Sequence, residues 1–236
     1  REDWRITRRD VTRHLIQGIP LGLQFSVLAI GIPAALGSVL MSVSQIIINS
    51  QMAEYGDLAI AAMGVAMKVV TITGMVCMGL GQGVQPILGY CVGAKLWERF
   101  KKVLRFSLLF AFILSAVLTG ICYLFTNQIV SAFLTDSTAF GYAVQFSRIL
   151  LTTSVLFGVF YVLTNALQAM GAASASLIIN VSRQGILFIP ALFLLKGMMG
   201  RTGLVWAQPA ADFVSLMIAS ILYRKTAGKR FAEPEA

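Results

Sequence analysis

Residues 58–92 have the sequence LAIAAMGVAMKVVTITGMVCMGLGQGVQPILGYCV, in which Lys68 is the single charged side chain. A transmembrane helix needs about 20 apolar residues, so this run can cross a bilayer with a tilt, a kink or one end outside. The whole chain shares this character, because 57% of its 236 residues are hydrophobic and 12% are charged. Soluble domains have about 25% charged residues, so a soluble globular fold is excluded and one compact membrane unit is predicted.

Apolar runs divided by short polar breaks predict six membrane-spanning helices and therefore an all-α bundle. The runs cover residues 25–53, 58–92, 103–126, 140–170, 174–196 and 203–223. Four of the runs contain a proline, which predicts a bent helix there; these residues are Pro33, Pro86, Pro190 and Pro209. Residues 127–138 alternate polar and apolar side chains, which predicts a short interfacial helix before the fourth span.

Basic residues are concentrated in three polar segments. The segments 1–13, 95–105 and 224–230 hold five, five and four of the 19 lysines and arginines. Because cytoplasmic loops collect Lys and Arg, both ends are predicted to be cytoplasmic, in a multi-pass protein of the plasma membrane. Contact of these segments with anionic membrane lipids explains the net charge of +9, and no nucleic acid partner is predicted. The polar start of the chain predicts an internal linker of a longer protein.

Enzymatic and metal sites are not predicted. The three cysteines, Cys77, Cys91 and Cys122, lie in apolar runs, and His14 is the only histidine, so no zinc site is expected and the thiols are predicted to be buried packing residues. A serine protease would need a general base near its nucleophile, and an aspartyl protease would need two carboxylates. The spans contain no histidine and one carboxylate, Asp212, so the chain is predicted not to be an enzyme.

Apart from Arg105, which belongs to the basic segment 95–105, and Lys196, which ends the fifth run, four charged side chains lie inside the predicted spans: Lys68, Arg148, Arg183 and Asp212. Such groups are costly in hydrocarbon and usually face a bundle interior or a wet cavity. Lys68 is predicted to lie at a depth similar to that of Asp212, with Arg183 nearer the cytoplasmic face. Asp212 is therefore expected to pair with Lys68 or Arg183. It is either a proton or cation relay or part of a structural ion pair, and the sequence leaves both open.

Polar and sulfur-containing side chains form stripes at helical spacing on three of the runs. The stripes include Met41, Gln45 and Asn49 on the first run, Met63, Met67 and Thr71 on the second, and Tyr161, Asn165 and Gln168 on the fourth. Helix packing explains such stripes, because amides form hydrogen bonds between helices. The lining of a cavity explains them equally well, because flexible methionines and aromatic rings adapt to varied apolar guests.

Four separated segments resemble, in one order, the second half of the multidrug and toxic compound extrusion (MATE) family. They are GIPAALGSVLMSVSQIIINSQMAEYGDLAIAAMGVAMKV at 31–69, GLGQGVQPILGYCVGAK at 79–95, NALQAMGAASASLIINVSRQ at 165–184 and GLVWAQPAADFVS at 203–215. The resemblance extends over residues 18–225. It implies one six-helix lobe of a twelve-helix transporter, with residues 1–17 as the cytoplasmic linker between lobes and 226–236 as a cytoplasmic tail.

The resemblance also implies a function. The whole protein would export small organic cations or amphipathic compounds in exchange for Na⁺ or H⁺, by alternating access, with the N-terminal lobe as partner and no other cofactor. The stripes and Lys68 would line its cavity. One branch of the family has a glutamate where this chain has Met41, so the coupling site is expected in the first lobe and Asp212 in a structural pattern. Two alternatives are a flippase for lipid-linked or amphiphilic head groups and a purely structural subunit. Cations in the cavity besides Lys68 would favour the flippase.

Overall fold

The computed structural model describes residue 37 and residues 39–231, without the side chains of residues 173 and 229–231. The expectations for the linker at 1–17, for Pro33, for the start of the first span and for residues 232–236 lie outside the described residues. The last helix continues through Phe231, so residues 226–231 extend it.

Nine α-helices and one π-helical turn make up the described part of the chain, which contains no strand. The helices are α1 (Val39–Ala53), α2 (Asp57–Gly93), α3 (Trp97–Leu124), α4 (Thr126–Ser131), α5 (Ser137–Ser154), α6 (Phe157–Ala169), α7 (Ala173–Val181), α8 (Phe188–Met199) and α9 (Arg201–Phe231), with the π turn at Ser182–Ile186 between α7 and α8. The prediction of an all-α membrane bundle is confirmed. Its second to sixth spans correspond to α2, α3, α5 with α6, α7 with α8, and α9.

The fourth predicted span is broken into two helices. α5 and α6 meet at Val155 and Leu156 and are bent by 46°. Helices bend where a side chain enters the backbone ladder, and here the Ser115 hydroxyl of α3 donates a hydrogen bond to the Val155 carbonyl at 2.6 Å. A residue of another helix is thus at the bend, and neither a proline nor a glycine stands at it.

The fifth predicted span is also interrupted. The π turn at Ser182–Ile186 separates α7 from α8, and the Gln184 carbonyl accepts a hydrogen bond from the Ser44 hydroxyl of α1. Single π turns occur frequently at functional sites. This turn holds Arg183 in the interior of the bundle.

Two hydrophobic clusters hold the helices together, and α2 contributes to both. One cluster joins α2 to α1, α5, α8 and α9 and includes Met52, Met63 and Phe146. The other joins α2 to α3, α6, α7 and α9 and includes Leu88 and Phe100. α2 has 37 residues in one helix with Pro86 inside it, so its length lets a single helix support both halves of the core.

The connection before α5 contains the predicted interfacial helix in a shorter form. α4 has six residues, and Asp136 ends the connection because its carboxylate caps α5, accepting hydrogen bonds from the Thr138 and Ala139 amides at 2.9 Å each.

Loss of such a cap costs about 1 kcal/mol. We expect Asp136→Ala to lower the melting temperature of the full-length protein by about 2 °C. Asp136→Asn, whose amide oxygen can still cap, should melt within about half a degree of the native protein; equal losses in both variants would contradict the capping role.

Candidate functional site

A buried ion pair connects the π turn to the last helix. The Arg183 Nε donates to Asp212 Oδ1 at 2.6 Å, and the two side chains are 10% and 5% exposed. Gln208, one turn earlier on α9, donates to the same carboxylate oxygen at 3.1 Å. Of the two partners predicted for Asp212, the structure therefore selects Arg183.

Aromatic rings of α6 surround the cationic side of this pair. The guanidinium carbon of Arg183 lies 5.2 Å from the ring centroid of Phe157 and 4.7 Å from that of Phe160, distances at which a cation is attracted to the ring face. Tyr161 also interacts with the guanidinium group. Arg183 thus holds α6, the π turn and α9 together at one point.

Lys68 does not lie near Asp212. Its ammonium nitrogen lies 5.1 Å from the ring centroid of Phe133, in the connection that follows α4, and its side chain is exposed. Thr73 of α2 faces Cys122, close to the end of α3. Lys68 lies five residues, more than one helical turn, nearer the start of α2 than Thr73. The pairing of Lys68 with Asp212, one of the two that the sequence allows, is therefore wrong: Arg183 pairs with Asp212, and Lys68 lies against Phe133.

The predicted stripe on α6 forms polar contacts with two neighbouring helices. Gln168 is exposed; its amide donates to the Ser176 hydroxyl of α7 at 2.9 Å and accepts from Gln85 of α2 at 3.3 Å. Asn165 is 8% exposed and donates to the Tyr161 carbonyl at 2.8 Å. A Cβ atom at Gly81 would lie 2.8 Å from the Asn165 amide nitrogen, so Asn165 packs at a close approach of α2 and α6.

The other predicted cavity residues divide into exposed and buried side chains. Met41, Asn49 and Thr71 are exposed, whereas Gln45, Met67 and Tyr161 are half-buried. Met63 differs from the prediction, because it is 1% exposed and belongs to the hydrophobic cluster that contains α1 and α5. The residues of this stripe are four positions apart, slightly more than the 3.6 residues of a helical turn. Their direction therefore rotates slowly around α2, and near the start of the helix they face the core. The term open face is used below for the four residues of the predicted stripes that the lobe leaves exposed: Met41, Asn49, Thr71 and Gln168.

Sequence reasoning missed three residues of this region: Gln208, Phe160 and Ser176. A signal existed for Gln208, because it stands four residues before Asp212 and the i,i+4 spacing places the two side chains together on a helix. Phe160 and Ser176 contact the site through tertiary packing, and their local sequence carries no mark of it.

Within residues 39–231 the structure shows no group of three or more His, Cys, Asp or Glu side chains that could hold a metal ion. Cys77, Cys91 and Cys122 are free and buried. The prediction that they are buried packing residues is confirmed.

Known proteins similar to this chain are membrane transporters. The MatE family model matches residues 33–194. Multidrug export protein MepA of Staphylococcus saprophyticus subsp. saprophyticus is 30% identical over 193 residues, covering 82% of this chain and 42% of that protein.

Two solved structures, both of a multidrug resistance MATE family transporter of the MOP superfamily, have a similar fold. For the outward-facing conformation the TM-score is 0.80 at 16% identity, covering 98% of this chain and 49% of the other. For the inward-facing conformation it is 0.82 at 16% identity, covering 92% of this chain and 51% of the other.

The chain therefore spans about half the length of the proteins that it matches, or slightly less. The relatives are named as export proteins, in agreement with the prediction that the chain is not an enzyme. The family model covers more than half of the chain. The described residues contain four helices that are long and apolar enough to cross a membrane, or five spans if the bent pair α5 and α6 is counted as one. The chain is an integral membrane protein and belongs to the MatE family, the multidrug and toxic compound extrusion transporters.

Proposed function

We propose that this chain is the second lobe of a twelve-helix secondary transporter that exports cationic or amphipathic organic compounds from the cell. The observation that carries the proposal is that its fold aligns with about half of an outward-facing and about half of an inward-facing transporter. A lobe that keeps one fold in both conformations supports a mechanism in which two lobes move as units. The first lobe of the same protein is then the partner of this one.

The open face is proposed to bind the substrate between the lobes. Its residues are exposed in the isolated lobe, as is required of side chains that meet a second lobe or a ligand. The flexible thioether of Met41 can adapt to varied apolar groups, and the amides of Asn49 and Gln168 can form hydrogen bonds with polar edges. This combination suits organic compounds that share amphipathic character and differ in shape.

The coupling ion, Na⁺ or H⁺, is proposed to bind in the first lobe. Among the residues that the structure describes, Asp212 is the one buried carboxylate, and Arg183 Nε lies 2.6 Å from its Oδ1. Protonation of Asp212, whose Oδ2 has no hydrogen-bond partner among the described residues, would remove the counter-charge of the buried guanidinium at a cost of several kcal/mol. Na⁺ would place a second cation beside that guanidinium, which is unfavourable as well. Asp212 is therefore proposed to be structural. Coupling also requires that ion and substrate differ in affinity for the two conformations.

The flippase alternative depended on cations in the cavity. Lys68 was the candidate, and it lies over Phe133 beyond the end of α3, while Arg183 is already paired with Asp212. Arg183 is therefore not available as a cavity cation and Lys68 lies against an aromatic ring, so the exporter is the better-supported function.

The proposal is tested by transport in proteoliposomes that contain the full-length protein. We expect a fluorescent organic cation to be transported when a Na⁺ or pH gradient is imposed and not when the gradient is collapsed with an ionophore. Transport under neither gradient would contradict the exporter proposal. Gradient-independent movement of a labelled phospholipid between leaflets, without cation transport, would favour the flippase.

Gln168→Leu is expected to weaken transport without unfolding the protein. A hydrogen bond from this amide to the substrate would contribute about 1 kcal/mol, so the apparent affinity for a polar substrate should fall roughly fivefold. Gln145→Leu is the matched control, because Gln145 is also exposed but lies on α5, which contributes no residue to the open face. Equal effects of the two substitutions on the concentration of half-maximal transport would contradict substrate contact at Gln168.

A further inference from the structure

A groove of about 390 Å³ lies between α3 and α5, near the end of α3. Its wall is mostly apolar. Among the four long apolar helices that the structure describes, α3 is the least buried, and Ile113, Val117 and Ile121 are exposed on it. Because α3 contributes no residue to the open face, its exposed aliphatic side chains are assigned to the lipid-facing surface, and acyl chains can reach the groove there.

The lining residues are arranged in layers along the two antiparallel helices. Tyr123 of α3 is level with Arg148 of α5, whose guanidinium carbon lies 5.5 Å from the tyrosine ring centroid. One turn deeper, Thr119 and Thr152 both line the groove, and a further turn deeper come Ala116 and Val155. The hydrogen bond from Ser115 to the Val155 carbonyl fixes this alignment of the helices. The layers therefore change from cationic through hydroxyl-bearing to apolar.

The cation at the end of the groove is Arg148, which forms no ion pair with the residues that the structure describes. The ion pairs found within residues 39–231 are Lys101–Glu98, Arg183–Asp212 and Lys196–Glu54, and none includes Arg148. Arg148 is exposed, and its neighbour Tyr123 suits a membrane interface, where amphipathic rings lie at the level of the head groups. A guanidinium group in this position is available to an anion, and its planar donors match the geometry of phosphate oxygens.

The middle layer contains an unsatisfied hydroxyl. Thr119 is 6% exposed, and its oxygen has no hydrogen-bond partner in the described part of the protein. Helical threonines have two accessible χ1 rotamers, and rotation about χ1 can turn this hydroxyl toward the groove. There it could donate to an ester carbonyl, the group that follows the phosphate in a phospholipid.

The geometry points to a specific site for an anionic phospholipid, with its phosphate at Arg148 and one acyl chain along Val155 and Ala116. The groove volume of about 390 Å³ equals that of about 13 water-sized groups at about 30 Å³ each, which is enough for much of one acyl chain. The proposal requires that the chain is in a membrane and is independent of what the whole protein exports.

Native mass spectrometry of the full-length protein tests this site with phosphatidylglycerol as the probe. We expect one phosphatidylglycerol to remain bound after mild delipidation, and Arg148→Gln to weaken its binding about tenfold, because a charge-assisted contact is lost. Lys68→Gln is the matched control, since Lys68 is also an exposed cation over an aromatic ring and stands outside the groove. It should bind the lipid like the native protein.

Two further measurements test whether the lipid occupies the groove and whether its charge is needed for binding. Ala116→Trp should fill the groove and release the lipid, with the melting temperature checked to confirm folding. Phosphatidylcholine with the same acyl chains should bind about tenfold more weakly than phosphatidylglycerol, because its head group has no net negative charge. Equal binding of the two lipids, or equal losses in Arg148→Gln and Lys68→Gln, would overturn the proposal.

Discussion

Replacing Asp212 with leucine is expected to prevent stable folding of the full-length protein. The substitution leaves the Arg183 guanidinium buried, with its side chain 10% exposed and without the carboxylate that lies 2.6 Å away. Removal of one member of a buried ion pair costs about 3 to 5 kcal/mol, because the remaining charge is uncompensated. The expected result is a large fall in melting temperature in detergent and a loss of monodisperse protein in size-exclusion chromatography.

The double variant Arg183→Met with Asp212→Leu should restore most of that stability. Replacement of a whole buried ion pair by apolar side chains is often neutral or stabilising, and methionine can pack against the rings of Phe157 and Phe160. If Asp212 is structural, the folded double variant should also transport in response to an ion gradient. A double variant that folds normally and has lost gradient-driven transport would identify Asp212 as part of the coupling path and contradict its structural role.

Gly158→Ala is also expected to destabilise the full-length protein. A Cβ atom at this position would collide with the carbonyl oxygen of Ala111 and would lie 2.7 Å from its carbonyl carbon. Because these atoms belong to the backbone of α3, the clash cannot be relieved by a change of rotamer, and overpacking of this kind costs typically about 1 to 3 kcal/mol. The α3–α6 contact should open beside the bend at Val155, and the melting temperature should fall by several degrees.

Two control variants separate this clash from a general effect of glycine. Gly64→Ala should leave the melting temperature unchanged or raise it, because a Cβ atom there meets nothing within 4 Å and alanine favours helix over glycine by about 1 kcal/mol. Adding Ala111→Gly to Gly158→Ala should not restore stability, since the main collision is with backbone atoms. Full restoration would show that the side chain of Ala111 causes the clash.

Much of the fold could be predicted because hydropathy decides it. The runs that correspond to α2, α3 and α9 are long, apolar and bounded by charged or glycine-containing breaks, and the structure has a long helix in each of them. The break between α5 and α6 could not be predicted, because it depends on Ser115 of another helix. The π turn around Arg183 likewise depends on contacts with α1 and α9 that no local pattern encodes.

The candidate site could be predicted in part. Asp212 was recognisable as a single acid in an apolar run, and its two possible partners included Arg183. Their pairing was not decided by the sequence, because helical spacing within one run carries no information about the level of a neighbouring helix. The position of Lys68 over Phe133 could not be predicted for the same reason. The burial of Met63 has another cause: its stripe rotates slowly around α2, which places this residue in the core.

The most direct test of the account is the accessibility of a cysteine introduced at Gln168 in a cysteine-free background of the full-length protein. If α1, α2 and α6 line a path that opens alternately, Gln168→Cys should react with a membrane-impermeant maleimide from one side of the membrane. Reversing the ion gradient should move its reactivity to the other side, and a cationic substrate should slow the reaction. Ile113→Cys, on the exposed apolar face of α3, should stay unreactive throughout. Reaction of Gln168→Cys from the same side under every gradient would contradict alternating access through this face.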